Sequence, residues 1–291
     1  MLKKGFYFFA VFSQIIFGAI VCLPLNSYAG FNDVGIGARN FGMGKSVVAI
    51  CDDMDTIYWN PAGLPELGEI TGMSFSHGMG KTKMDSFCVI QPEVYFLGGN
   101  VGLLYLAEET ETTIGLSYGK ALTFKKGYPF SLSAGGNFKL LKMVENACDK
   151  THHGYAIDMG VLMKPKYGTK ELKNVRIALM MRNILASNVN YPSFGFKFGL
   201  AANLNKNITL GKIKIDDILF TLGVSNEDGE SFKFQFGKEV ILNKKFPVRL
   251  GFYGSKIAFG FGYKDVDWQV DYAFASYDPG NTHIISAKVK Y

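Results

Sequence analysis

Beyond residue 29 the chain has no apolar run that approaches the ~18 residues a membrane-crossing helix needs. No segment of helical period exceeds a couple of turns, which excludes a helical bundle. Cysteine is scarce after the N-terminal stretch: only Cys51, Cys88 and Cys148 remain. An odd number at irregular spacing is neither a disulfide framework nor a zinc site, so idle thiols are expected. The four histidines are His77, His152, His153 and His283. None is spaced against a serine or a carboxylate as a hydrolytic constellation requires. The chain therefore reads as no enzyme, with no catalytic residue, no bound metal and no cofactor.

Two nucleotide-binding patterns also fail. Gly44-Lys45-Ser46 ends like a phosphate loop, but the first glycine of that loop falls on Arg39. Gly35 and Gly37 begin a dinucleotide fingerprint whose third glycine falls on Asn40, with no strand before it. No nucleic-acid partner is expected.

The first residues present a different signal. Lys3 and Lys4 precede an apolar run from Phe6 to Val21, and Ser27-Tyr28-Ala29 supplies a small-x-small cleavage site. Val21 before Cys22 is too bulky for a lipoprotein signal. Residues 1–29 are thus expected to be a secretory signal peptide, leaving a chain that begins at Gly30.

Glycine (34), phenylalanine (25) and tyrosine (15) are abundant, which suits many short aromatic strands with close backbone approach. From residue 69 onward apolar residues recur at alternate positions, as in Ile114-Leu116-Tyr118, Tyr155-Ile157-Met159 and Ile257-Phe259-Phe261-Tyr263. Period two marks a strand with one apolar face. The other face carries Gly115, Gly135, Gly160, Gly195, Gly199, Gly260 and Gly262 among scattered charges. Fourteen such segments are predicted, at 69–78, 85–96, 100–107, 112–122, 129–142, 153–164, 174–184, 193–204, 213–225, 231–241, 246–253, 256–264, 267–275 and 282–291. Turn formers separate them, including Gly98-Gly99-Asn100, Asp228-Gly229 and Pro279-Gly280-Asn281.

The lengths fit tilted strands crossing a bilayer, and the last strand ends on the aromatic Tyr291. The fold class predicted is all-β: a fourteen-stranded antiparallel transmembrane β-barrel over 69–291. A soluble sandwich would also alternate, but its polar face would seldom be so rich in glycine.

An even strand number places both ends on the periplasmic side. Odd-numbered connections then carry Glu108, Glu109, Glu111, Glu145, Asp149, Glu227, Asp228, Glu230 and Asp278 against Lys81, Lys83 and Lys150. Even-numbered ones carry Lys125, Lys126, Lys166, Lys170, Lys173, Lys206, Lys212, Lys244 and Lys245 against Glu171 and Asp265. This segregation of charge supports the register. The outer membrane of a Gram-negative-type bacterium, with its lipid as the surrounding partner, is the expected location.

Residues 30–68 do not read as a strand pair. Gly37-Ala38-Arg39, Gly42-Met43-Gly44, Asp52-Asp53 and Tyr58-Trp59-Asn60-Pro61-Ala62-Gly63-Leu64 resemble the N-terminal region of PorV/PorQ-type outer-membrane proteins. A looser version, with the Asn-Pro-Ala box, is similar to the opening of the FadL-type long-chain fatty-acid transporters. Ala156–Gly160, Arg182–Ile184 and Asp271–Phe274 carry the resemblance into the barrel. It implies an N-terminal plug, or hatch, folded into the barrel, with Gly42, Gly44, Asp52, Asp53, Asn60, Pro61 and Ala62 as its motif. Alternation points Arg176, Arg182, Lys197, Lys233 and Arg249 into the lumen, where Asp52, Asp53 and Asp55 can pair with them.

Two functions follow from the resemblance. The FadL-type likeness implies passive uptake of hydrophobic small molecules. The PorV-type likeness implies a scaffold or shuttle, with secretion or surface proteins as partners. The outer connections are short, whereas the FadL-type transporters collect ligand on long ones. A hatch implies a passage to be gated, so uptake is the preferred expectation. The apolar lining would come from Phe41, Met43, Ile57, Tyr58 and Trp59, with Leu104, Leu141 and Leu162 from the wall.

Overall fold

The computed structural model describes residues 31, 34–80, 83–94, 97–123, 128–145, 150–166, 171–187, 194–204, 208–211, 213–226, 231–277 and 280–291. The expected signal peptide, Cys22 and Cys148 lie outside the described residues. Fifteen strands follow the N-terminal segment: β1 (Gly72–Gly80), β2 (Met84–Val94), β3 (Gly99–Glu108), β4 (Glu111–Leu122), β5 (Phe130–Glu145), β6 (Lys150–Pro165), β7 (Leu172–Ala186), β8 (Gly195–Leu204), β9 (Ile208–Leu210), β10 (Ile213–Asn226), β11 (Lys233–Leu242), β12 (Phe246–Tyr253), β13 (Lys256–Lys264), β14 (Trp268–Tyr277) and β15 (Gly280–Lys290). Successive strands pair antiparallel, and β15 pairs with β1 (Phe75 opposite Ala287). β8 passes directly to β10, leaving the three-residue β9 as an appendage on the start of β10. The wall is therefore a closed fourteen-stranded antiparallel barrel, as the alternation predicts. Closure satisfies every ladder hydrogen bond without an edge, the condition for crossing lipid with strands.

Burial is inverted relative to a soluble sheet. Outward positions hold Leu116 at 60% exposure and Phe234 at 73%, whereas inward Ser76 and Ser286 are at 0% and 1%. The outer face meets lipid, so apolar groups stay outside and polar groups turn in.

Residues 34–67 carry three short helical pieces: α1 (Ala38–Gly42), α2 (Thr56–Trp59) and a 3-10 turn at Pro61–Leu67. Asn60 starts the last of these, its side-chain oxygen accepting from the Ala62 amide at 3.1 Å, with Pro61 at the first position. Helix α1 packs on β12 to β15, and the 3-10 turn on β2 to β6. Val48 meets Gly199 of β8, and Met43 meets Gly237 of β11. A segment that touches staves all round a ring lies within it. Most of the buried apolar core consists of this segment, from Ile36 to Leu67.

Candidate functional site

Several inward glycines receive the N-terminal segment, whereas Gly115, Gly195 and Gly262 meet only wall residues. A methyl group on Gly135 would overlap Pro61 and Ala62, one on Gly160 would overlap Asn60, and one on Gly199 would overlap Val48. Gly42 lies against Gly260, and Gly44 against the backbone of Phe252 and the inward Gly251. At Gly135, Gly260 and Gly251 backbone meets backbone, which leaves no room for a side chain, while Gly160 and Gly199 make way for the Asn60 and Val48 side chains. Asn60, buried completely, donates to the carbonyls of Val48 (3.1 Å) and Val161 (3.3 Å), fixing this turn against β6.

A chain of ions fastens the segment on the opposite side. From α1, Arg39 donates to Glu239 of β11 through Nε (2.9 Å) and Nη2 (2.7 Å), to Asp53 (3.0 Å) and to Asp52. Lys288 of β15 reaches Asp53 at 2.6 Å and Asp55 at 2.7 Å. Arg249 of β12 bridges Glu239 (2.6 Å) and Asp271 of β14 (2.7 Å). Asp55 also accepts from Ser74 (2.8 Å) and Asn40 (3.0 Å). Burial opposes ionisation of Asp53, but Lys288 and Arg39 outweigh it and hold its carboxyl below the ordinary range. Arg39 does the same for Asp52. Asp55 goes the other way: burial, with help from the charge of Asp53, raises its carboxyl despite Lys288.

These partners differ from those expected. Asp52, Asp53 and Asp55 pair with Arg39 and Lys288, and with none of the five inward cations proposed for them. Arg176 gives Asp52 only longer-range support and donates weakly to Asn203 at 3.4 Å. Arg249 serves Glu239 and Asp271 instead. Arg182 donates to the Tyr58 hydroxyl (3.2 Å) with its guanidinium 4.7 Å from the ring centre. Lys197 lies 4.5 Å from the Trp59 ring centre, and Lys233 lies 5.3 Å from that of Tyr253. Lys288 and Glu239 occupy inward positions that the alternation defines, and that pattern is the signal by which sequence alone would find them.

The expected apolar lining divides in two. Tyr58, Leu104 and Leu141 line a cavity of about 20 Å³ together with Phe31, Leu106, Glu108, Thr113, Asn137, Lys139, Asp158, Arg182 and Asn183. Phe41, Met43, Ile57, Trp59 and Leu162 do not line it: they are buried in the packed core. Apolar side chains opposed inside a filled lumen close on one another, and this small cavity is bordered by charged as well as apolar side chains. The cavity lies between Tyr58 of α2 and the inner faces of β3 to β7. On its floor Lys139 is 2.8 Å from Asp158 and 2.5 Å from the Asn183 side-chain oxygen. The pairing of β6 with β7 shifts between Ile157 and Met159, and Asn183 adopts a left-handed backbone (φ 54°). Its amide turns to the Asp158 side chain at 2.8 Å, which places a β-bulge in the cavity wall.

No family model matches the sequence, and neither does any curated protein. Solved structures do match. The Ralstonia pickettii toluene transporter TbuX superposes with a TM-score of 0.50 at 10% identity, over 90% of this chain and 99% of that one. The fold is that of an outer-membrane β-barrel. The CymD monoaromatic hydrocarbon channel aligns with a TM-score of 0.49 at 10% identity, over 90% and 98% of the two chains. The Acinetobacter baumannii outer membrane protein Omp33 aligns with a TM-score of 0.46 at 11% identity, over 76% and 97%.

Proposed function

We propose that this outer-membrane barrel is a passive route for small apolar molecules, with residues 30–68 as the plug that gates it and residues 69–291 as the wall. The observation that carries this reading is the fastening of residues 34–67 inside a ring that meets them with glycines at many positions and with paired ions at others. A barrel that needed only a filled interior has that solution in large inward side chains. A separate segment, held by ion pairs and by close contact with wall glycines, is a part that can shift without unfolding the wall. The resemblance to FadL-type transporters supports the same reading, and the toluene named for TbuX supplies a probe.

Uptake of radiolabelled toluene by intact cells with and without the protein tests this, because an intact lipopolysaccharide leaflet restricts the direct path. Faster entry with the protein is expected. Deleting 31–62 should raise leakage of small polar solutes while the barrel still inserts. Equal toluene entry with and without the protein, together with co-purification of a stable protein partner, would favour a scaffold instead.

A further inference from the structure

We infer that the outer face of β8, β10, β11 and β12 docks a second, different outer-membrane protein, one that presents a carboxylate from its own membrane-facing wall to Lys238. Strand β11 turns Gln235, Gly237 and Glu239 inward, so Phe234, Phe236, Lys238 and Val240 face outward. The residues opposite Lys238, Phe220 of β10 and Leu250 of β12, are apolar. Its ammonium lies 5.5 Å from the centre of the Phe220 ring and has no hydrogen bond or ion pair among the described residues. Lys238 is five residues from Lys233 at one end of the strand and four from Leu242 at the other. Four residues span about 13 Å at the rise of a strand, beyond the reach of a lysine stem, so the ammonium does not snorkel to the headgroups. A cation facing lipid costs a barrel most at the bilayer midplane, and a ring face offsets only part of that cost.

Depth narrows what supplies the missing anion. Acyl chains carry none, and lipid phosphates lie outside the hydrocarbon core. A second copy docked through the same face would set Lys238 against Lys238. Asp85, on the outer face of β2, is bound to His77 at 2.7 Å beside the β1–β2 hairpin, away from this depth. The anion is then a side-chain carboxylate of another membrane-embedded protein. The wall next to the lysine has the shape to receive one. Phe198, Leu222, Phe234, Phe236 and Phe252 line an outer groove of about 420 Å³, and Phe236 is two residues along β11 from Lys238. Gly223 and Gly254 add no side chain to it, so an apolar ridge of the partner seats in the groove with its carboxylate on the ammonium. The uptake reading is independent of this contact, since toluene entry decides it.

Photo-crosslinking in intact cells of the native host tests this, with p-benzoylphenylalanine in place of Leu222 in the groove. The control places it at Leu116, which faces outward on β4 and is 60% exposed. The expected result is one protein adduct from the groove, absent from the control. Mass spectrometry should identify its partner as an outer-membrane protein with an acid on its lipid-facing wall. Lys238→Met keeps the length and should cut the adduct about tenfold, the scale of one interfacial charge pair, whereas Lys238→Arg should retain it. Lys238→Glu should abolish the adduct, and replacing the partner's acid by lysine should restore it. Heat-modifiable migration verifies that each variant is inserted. Adducts to lipid alone would show that the bilayer covers this face and overturn the proposal. The same adduct from Leu116, a yield unchanged by Lys238→Met, or a charge exchange that restores nothing overturns it equally.

Discussion

Lys288, two residues before the end of the last barrel strand, lies 2.6 Å from Asp53, which precedes the first strand. The same ammonium is 2.7 Å from Asp55. One wall cation thus ties together two acids of the plug at the seam where the barrel closes. Replacing it by methionine keeps the length and leaves both carboxylates in place. Asp53 retains Arg39, and Asp55 retains only Ser74 and Asn40. Removing one partner from a buried pair costs about 3–5 kcal/mol. Lys288→Met should therefore lower the temperature of heat-modifiable migration and raise leakage of small solutes. Wild-type leakage and thermal stability in this variant would mean that the ion pairs do not hold the plug.

The pH response of the plug follows from the opposed shifts of its acids. Asp52 and Asp53 are held below the ordinary range, so their contribution is present above an unfolded value of about 3.9 and is lost as pH falls through their lower folded values. Asp55 is raised, so its contribution is present at low pH and is lost as pH rises through its folded value. The groups facing it are Lys288, Asp53, Ser74 and Asn40, with Arg39, Glu239, Arg249 and Asp271 completing the network. As pH falls from neutrality toward the ordinary carboxylate range, the seating should hold or tighten slightly. Below about pH 4 it should begin to loosen, because the unseated carboxyls of Asp52 and Asp53 then take up protons that the seated ones exclude. Asp55→Asn should remove the mild tightening and leave the acid-side loosening. A leak that climbs steadily as pH falls from neutrality toward the ordinary carboxylate range in the wild type contradicts this assignment.

The strands were legible because period two is a local property: each apolar residue states its own face. Predicted and observed spans agree to one residue for β10, and β12 and β13 coincide at 246–253 and 256–264. The first strand begins later than expected, at Gly72, because Pro61–Leu67 forms a 3-10 turn ending at Gly68 with φ 62°. The appended β9 gives no pattern of its own, being three residues long. Partner choice was not legible. Several inward cations satisfy the same alternation, and which one meets Asp53 depends on stagger around the whole ring. The cavity was hidden for another reason: Leu104 and Leu162 are alike in type, face and burial and both belong to the core, and only packing brings Leu104 to the cavity as well.

The glycine contacts give a prediction that separates plug from wall. Gly135→Val places two methyl groups where Pro61 and Ala62 lie, so the turn must move. Overpacking of this kind costs about 1–3 kcal/mol. At Gly115 the nearest neighbour of an added Cβ is the Leu104 side chain, at 3.4 Å, an ordinary contact. Gly115→Ala should therefore keep wild-type leakage, whereas Gly135→Val should increase it with the barrel still inserted. Equal behaviour of the two variants would show that the plug does not bear on Gly135.

Cys51 supplies an internal reporter of plug seating. It is 2% exposed, and burial pushes its thiol up to about 12, with a hydrogen bond to Thr56 and the charge of Arg176 pulling less strongly downward. The thiolate is the nucleophile, so two barriers, access and ionisation, protect it in the seated state. In a background carrying Cys88→Ala and Cys148→Ser, a maleimide added near neutral pH should leave the native protein unlabelled and modify it fully after denaturation. Loosening the plug lowers both barriers together, because water then reaches the thiol and solvates its anion. Lys288→Met and Gly135→Val should each accelerate native-state labelling, whereas Gly115→Ala should not. The order of labelling rates should follow the order of solute leakage across these variants. If Cys51 is modified rapidly in the unaltered protein, or if labelling and leakage rank the variants differently, then solute passage does not run through movement of residues 34–67.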